Sequence, residues 1–231
     1  MKPTFLYHLL TLALLLCGMV MPSLQAQPYK NPSLSPEERT ADLLQRMTLE
    51  EKIAQIRHIH SWNIFEEQEL NKSKLQEFVG DLCWGFVEGF PLTGENCHRH
   101  MRHIQEYMLN HTRLGIPIFT VAEALHGSVH EGSTIYPQNI ALASTFNPEL
   151  AYLRATEISK ELHYQGINQI LAPCIDVVRD LRWGRIEESY GEDPYLNGIF
   201  AYKEAKGYLD NGISPMLKHY GAHGNPLGGL N

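Results

Sequence analysis

Cysteine is scarce in this chain: there are four among 231 residues, and none stand in a C-x-x-C pair. A disulfide framework or a structural zinc site needs cysteines at paired, short spacing, so neither organises the fold. Cys17 falls in the N-terminal apolar stretch, which leaves Cys83, Cys97 and Cys174, an odd set expected to be buried free thiols. Basic charge is also in deficit. Nineteen Lys and Arg face 26 Asp and Glu, for a formal net charge of -7, and no basic run stands out. A duplex-binding surface needs clustered cations to displace counterions, so nucleic acid is excluded as a partner and a neutral ligand is favoured.

The third absence is a long hydrophobic run. The longest, Leu9 to Val20, is shorter than the ~20 residues a bilayer span needs, so no stable membrane span is expected. Preceded by Lys2 and followed by Pro22, Ser23, Leu24, Gln25 and Ala26, it has the layout of a secretory signal. Residues 1–26 are therefore read as a cleaved signal peptide, and the protein as exported, periplasmic or extracellular. The remainder, 43% hydrophobic and 19% charged over the whole chain, has globular composition.

Helix signals come first. Ser35, Pro36 and Glu38 form an N-cap, a first-turn proline and a capping-box carboxylate, and Leu43, Leu44 and Met47 follow on one face. Thr48 and Glu51 repeat the box before Ile53 and Ile56. The chain then alternates. Strands are predicted at Leu82 to Val87, Ile116 to Ala122, Ile167 to Ala172 and Ile213 to Leu217. Helices are predicted from Glu95 to Arg113, from Asn147 and Pro148 to Gln165 with Gly166 as stop, and from Asp193 and Pro194 to Asn211. Strands alternating with helices indicate βα units and a parallel sheet, an α/β fold.

Such folds put their chemistry on loops at the carboxyl ends of the strands. Three segments occupy those places. Glu123-Ala124-Leu125-His126-Gly127 offers a carboxylate that can accept from vicinal hydroxyls. The second runs from Pro173 to Pro194 and includes Asp176, Arg179, Asp180, Arg182, Trp183, Arg185 and Glu188. Its arginines are rigid forks suited to carboxylates or hydroxyl pairs, or are partners in a surface ion network. Trp183 fits either a core position or a sugar platform. The third begins Lys218-His219-Tyr220-Gly221-Ala222-His223-Gly224-Asn225. Adjacent strand residues face apart, so Lys218 and His219 can share a ligand only where the strand bends or ends. Both can donate to ligand oxygens.

Together with Met47-Thr48-Leu49-Glu50-Glu51-Lys52-Ile53, these segments resemble glycoside hydrolase family 3 over residues 36–231. That family shows, in order, a [D/E]-A-x-H-G loop, a D-x-x-R-D-P-R-W-G-R-x-x-E-[ST]-[FY]-G-E-D-P loop and a K-H-[FY] loop. Leu181 stands at the usual proline and Tyr220 at the usual phenylalanine. The resemblance implies a (β/α)8 TIM-barrel-like domain, of which residues 27–231 are the N-terminal portion: the helical lead-in and the first half of the barrel. It also implies that Glu123, Arg185, Lys218 and His219 bind the terminal sugar of an oligosaccharide or β-glycoside, with no metal and no cofactor.

The family is retaining, using an aspartate nucleophile and a glutamate acid/base. No Ser-Asp pair of the nucleophile type occurs here, so no catalytic residue is assigned and the chain is expected to be inactive alone. The implied activity is that of an exo-acting β-glucosidase or β-xylosidase. Glu123, about one C–C bond longer than the Asp of many members, would crowd a hydroxymethyl group and favour a pentose. Two alternatives stay open: a non-catalytic sugar-binding piece, and a β-N-acetylhexosaminidase, against which Gly221 and Asn225 stand where that branch has Pro and Asp. His98, His100 and His103 share a helix with Cys97 but lack the carboxylate or thiolate that would complete a metal site. The oligomeric state is not readable from the sequence.

Overall fold

The computed structural model describes residues 27–89, 93–220 and 223–226. The signal assignment at residues 1–26 lies outside them. The described residues fall into two compact units, divided after Thr48. In the first, α1 (Pro36–Arg46) starts as its sequence requires: Ser35 Oγ accepts from the Glu38 N–H at 3.2 Å, and Glu38 accepts from the Ser35 N–H at 2.9 Å. That reciprocal pair satisfies donors that a helix start leaves open.

The second unit opens with α2 (Leu49–Gln55) and is built on one parallel sheet. Its strands are β1 (His58–His60), β4 (Phe86–Glu88), β5 (Phe119–Ala122), β6 (Gln169–Ile170) and β7 (Ser214–Pro215), in the order β1-β4-β5-β6-β7. Register pairs Ile59 with Val87, Val87 with Thr120, Val121 with Gln169, and Gln169 with Ser214. Between β1 and β4 lie α3 (Ser61–Ile64), a small antiparallel pair of β2 (Phe65–Glu66) with β3 (Glu69–Leu70), and α4 (Lys72–Val79). The crossovers carry α5 (Gly94–His111), α6 (Asn139–Ala143) with α7 (Glu149–Gln165), and α8 (Pro194–Asp210). From β1 to β6, each strand of the sheet is thus followed by at least one helix, the βα alternation of a (β/α)8 domain.

Three predicted helices are present within two residues of their expected ends. Gly166 closes α7 in the left-handed region at φ +77°, as a C-terminal glycine does. Asp193 caps α8, its Oδ1 accepting from the Leu196 N–H at 2.7 Å. The strands are shorter than predicted, because only part of each apolar run finds a ladder partner. Glu51, expected only as a capping residue, is buried in α2, and it accepts from Arg113 Nε at 2.7 Å.

The main core lies between sheet and helices. Ile59, Val87, Ala122 and Ile170 pack with Met101, Ile104 and Met108 of α5 and Ala155, Ile158 and Leu162 of α7. Burying such side chains contributes roughly 25 cal/mol per Å² of apolar surface removed from water. Cys83, Cys97 and Cys174 are all free and buried, as expected, and no two of them form a bridge. Among the described residues, no helix is long and apolar enough to cross a membrane.

Candidate functional site

The carboxyl ends of β5, β6 and β7 bring three of the sequence-selected residues into one charged chain. Lys218 Nζ lies 2.9 Å from Glu123 Oε2 and 3.7 Å from Glu188 Oε2. Arg185 grips the same Glu188 with two parallel bonds, Nε to Oε1 at 2.6 Å and Nη2 to Oε2 at 2.8 Å. Glu123 and Arg185 are therefore linked through Lys218 and Glu188. His219 joins from the side: its Nδ1 is 2.6 Å from Asp176 Oδ2. The four residues singled out in the sequence converge on one place. Glu188 and Asp176, which hold Arg185, Lys218 and His219, stand in the motif, but nothing local in the sequence assigns either a role.

The electrostatics follow from that packing. Burial pushes Glu188 up, but the Arg185 bonds and the charges of Lys218 and Arg185 outweigh it and hold the carboxyl below its ordinary value. Asp176 behaves alike: burial raises it, and the bonds from His219, the His223 N–H and Cys174 bring it below the usual range. Arg185 is raised, first by its bonds to Glu188. The site holds fixed charges of both signs, with Glu123 47% exposed and open to solvent on one side.

The loops that carry these groups are laced to one another through their backbones. The Ile175 N–H donates to Lys218 O at 2.7 Å, the Lys218 N–H to Pro173 O at 3.0 Å, and the Arg179 N–H to Gly224 O at 2.6 Å. The last contact explains a glycine. Gly224 sits at φ +85°, and a Cβ there would meet Val177 O at 2.3 Å. No L side chain fits that approach. The peptide bond joining Lys218 to His219 is cis, and both side chains contact groups of the same cluster.

Other residues of the motif are structural. Trp183, open between core and platform in the sequence, is 2% exposed and packs with Cys174 and Val178. Arg182 pairs with Asp180 on the surface at 2.6 Å, as a member of a surface ion network would. Among the described residues, Cys174, Asp176 and His219 bring metal-type ligand atoms within 4.8 Å of one another. Burial pushes the Cys174 thiol up to about 12, and its Sγ donates to Asp176 at 3.2 Å. At neutral pH the trio is a hydrogen-bonded cluster rather than a thiolate site. His100, from the helical histidine group, is buried edge-on against Phe65.

A hollow of about 670 Å³ opens beside Glu123, walled by Trp62, Phe65, Glu88, Val129 and Leu171. A larger groove of about 870 Å³, between α4 and α5, holds none of the motif residues. Chemistry rather than size selects between them, and the hollow beside Glu123 is the one next to convergent polar groups.

The chain is similar to known proteins over most of its length. Residues 48–230 match the family model described as the glycosyl hydrolase family 3 N terminal domain. A putative beta-xylosidase of Formosa agariphila is 34% identical over 221 residues, covering 90% of this chain and 29% of that protein. A periplasmic beta-glucosidase of Salmonella typhimurium is 32% identical over 221 residues, 91% of this chain and 27% of that protein. Among solved structures, a b-glucosidase from Erythrobacter marinus superposes with a TM-score of 0.81 at 29% identity, over 89% of this chain and 28% of that one. The chain thus spans less than a third of these relatives. With the parallel βα sheet and the ordered motifs at its strand ends, the family match makes the chain a member of glycosyl hydrolase family 3.

Proposed function

We propose that this chain supplies the sugar-binding face of an exo-acting β-glycosidase, of the β-glucosidase or β-xylosidase type. The observation that carries the reading is the convergence of Glu123, Arg185, Lys218 and His219 around Glu188 and Asp176 at the strand ends. A pyranose ring presents hydroxyls that donate and accept. Lys218 and Arg185 supply donors only, and Glu123 supplies acceptors. Holding those groups in place before the sugar arrives lowers the ordering cost of binding.

The chemistry of these four residues suits holding a substrate rather than cleaving a bond. Retaining hydrolysis needs a carboxylate nucleophile about 5–5.5 Å from an acid/base. In a protein of the relatives' length, these two groups would come from the part that this chain does not span. Residues 1–26 are proposed to direct export, in keeping with the periplasmic relative. The residues at Gly221 and Asn225 favour this reading over a β-N-acetylhexosaminidase.

The test is calorimetric titration of the chain with methyl β-glucoside and methyl β-xyloside. Saturable binding of at least one, weakened about tenfold or more in Lys218→Met, is expected. Heats identical to those of a non-sugar polyol control would end the proposal.

A further inference from the structure

We propose that Asp176 fixes His219 in its Nδ1–H form, so that His219 Nε2 accepts a proton from one hydroxyl of the bound sugar in a hydrogen bond. This role rests on the sugar-site reading and makes Asp176 a positioning residue within it.

The donors around Asp176 decide the tautomer. The Asp176 side chain is fully buried, and its two oxygens are separately allotted. Oδ1 accepts from the backbone N–H of His223 at 2.7 Å and faces that of His219 at 3.5 Å. Oδ2 accepts from Cys174 Sγ at 3.2 Å and lies 2.6 Å from His219 Nδ1. Backbone N–H groups can only donate. Asp176 is held below the usual carboxylate range despite its burial, so it stays ionised and accepts only. An imidazole nitrogen 2.6 Å from such an oxygen must carry the proton.

In a neutral ring the other nitrogen then has a lone pair and no hydrogen. Among the described residues, nothing bonds Nε2, and the side chain is 23% exposed beside Lys218. His219 therefore differs from the donor expected from sequence. Next to two cations that only donate, it adds a neutral acceptor, distinct from the charged acceptors Glu123 and Glu188.

Asp176→Asn tests this sharply. The His223 N–H can only donate and calls for an oxygen at the Oδ1 position, so the carboxamide nitrogen faces His219 Nδ1. An N–H there forces the opposite tautomer, as an Asn in place of a His-orienting Asp does in other enzymes. Nε2 becomes a donor.

The experiment has two arms. In the first, 15N NMR of the wild-type chain at about pH 8, where free imidazole is neutral, reads the His219 tautomer. The signal is assigned by its loss in His219→Gln. A pyridine-type Nε2 and a pyrrole-type Nδ1 are expected; the reverse overturns the inference without touching the sugar reading, and this arm needs no Asp176 variant to fold.

In the second arm, methyl β-glucoside and its mono-deoxyfluoro derivatives are titrated into wild type and Asp176→Asn. Fluorine can accept but cannot donate. At one ring position, fluorination is expected to cost wild type about tenfold or more in affinity, and the variant little. Positions facing Glu123 should lose equally in both. Penalties that are the same in both proteins at every position overturn the acceptor role. A wild-type chain that binds none of these sugars overturns the sugar reading and the acceptor role together.

Discussion

Two clusters of charge in this molecule use the same residue types and come to opposite ends. Between α7 and α8, Arg154 Nη2 meets Glu204 Oε2 at 2.6 Å, with side chains 3% and 0% exposed. At the strand ends, Arg185 and Lys218 meet Glu188 and Glu123, with exposure rising to 47% at Glu123. The inner cluster closes on itself. Arg154 also donates to Pro137 O at 2.9 Å and to Asn139 Oδ1 at 2.5 Å, while Tyr190 donates to Glu204. Burial lowers Arg154, but the facing carboxylate outweighs it and raises the guanidinium. The outer cluster is tied just as tightly on its protein side and open on the other. A charged group whose partners all belong to the chain fixes helices; one with an open side beside a hollow can bind.

The widest consequence is for stability. Arg154→Ala leaves the Glu204 carboxylate buried without its cation, and removing one member of a buried pair costs about 3–5 kcal/mol. Thermal melting followed by circular dichroism should show the transition falling by many degrees. Replacing both Arg154 and Glu204 with Leu should recover more than half of that loss, because no unpaired charge remains. A melting point for Arg154→Ala within a degree of wild type would show that the inner cluster is not what holds α7 to α8.

Lys218→Met should do the reverse. Glu123 is left to water and Glu188 keeps Arg185, so stability should change by no more than about 1 kcal/mol. Affinity for methyl β-glucoside should fall about tenfold to a hundredfold, as a charge-assisted bond is lost. Equal losses of stability and affinity would erase the distinction between the clusters. A smaller effect is expected from Glu123→Asp. Drawing the carboxylate back by about 1.5 Å should raise affinity for the glucoside relative to the xyloside. An unchanged ratio would remove the crowding argument for a pentose.

Much of this was legible before any coordinates, and the reason is local. Helix caps such as Ser35 with Glu38, and Asp193 before Pro194, declare themselves within a few residues. Glu123 and Lys218 could be picked because each directly follows an apolar strand run. β1 could not: His-Ile-His is three residues with one buried, too short to show a period. Glu188 and Asp176 were hidden for a different reason. Their partners lie 30 and 43 residues away in sequence for Lys218 and His219, so only folding reveals who holds whom. Trp183 stayed ambiguous since an indole suits a core and a ligand face equally.

The gentlest test separates the clusters by the sign of their pH response. Asp176 and Glu188 are depressed in the fold, the first by bonds that outweigh burial, the second chiefly by Arg185 against burial. Their contribution to stability is complete above the unfolded carboxylate values of about 4. As pH falls through the depressed folded values, the unfolded chain takes up protons first and the contribution is lost. Glu204 runs the other way: burial lifts it, so what it contributes is complete below the ordinary range and lost as pH rises through the lifted value. Urea midpoints measured between about pH 3 and 6 should therefore drop on acidification in wild type and drop less in Glu188→Gln. Parallel curves for the two proteins would mean that Glu188 is no more ionised in the fold than out of it. The Lys218–Glu188–Arg185 linkage would then add no net stability to the fold, and the two cations of the outer cluster would owe their positions to other contacts.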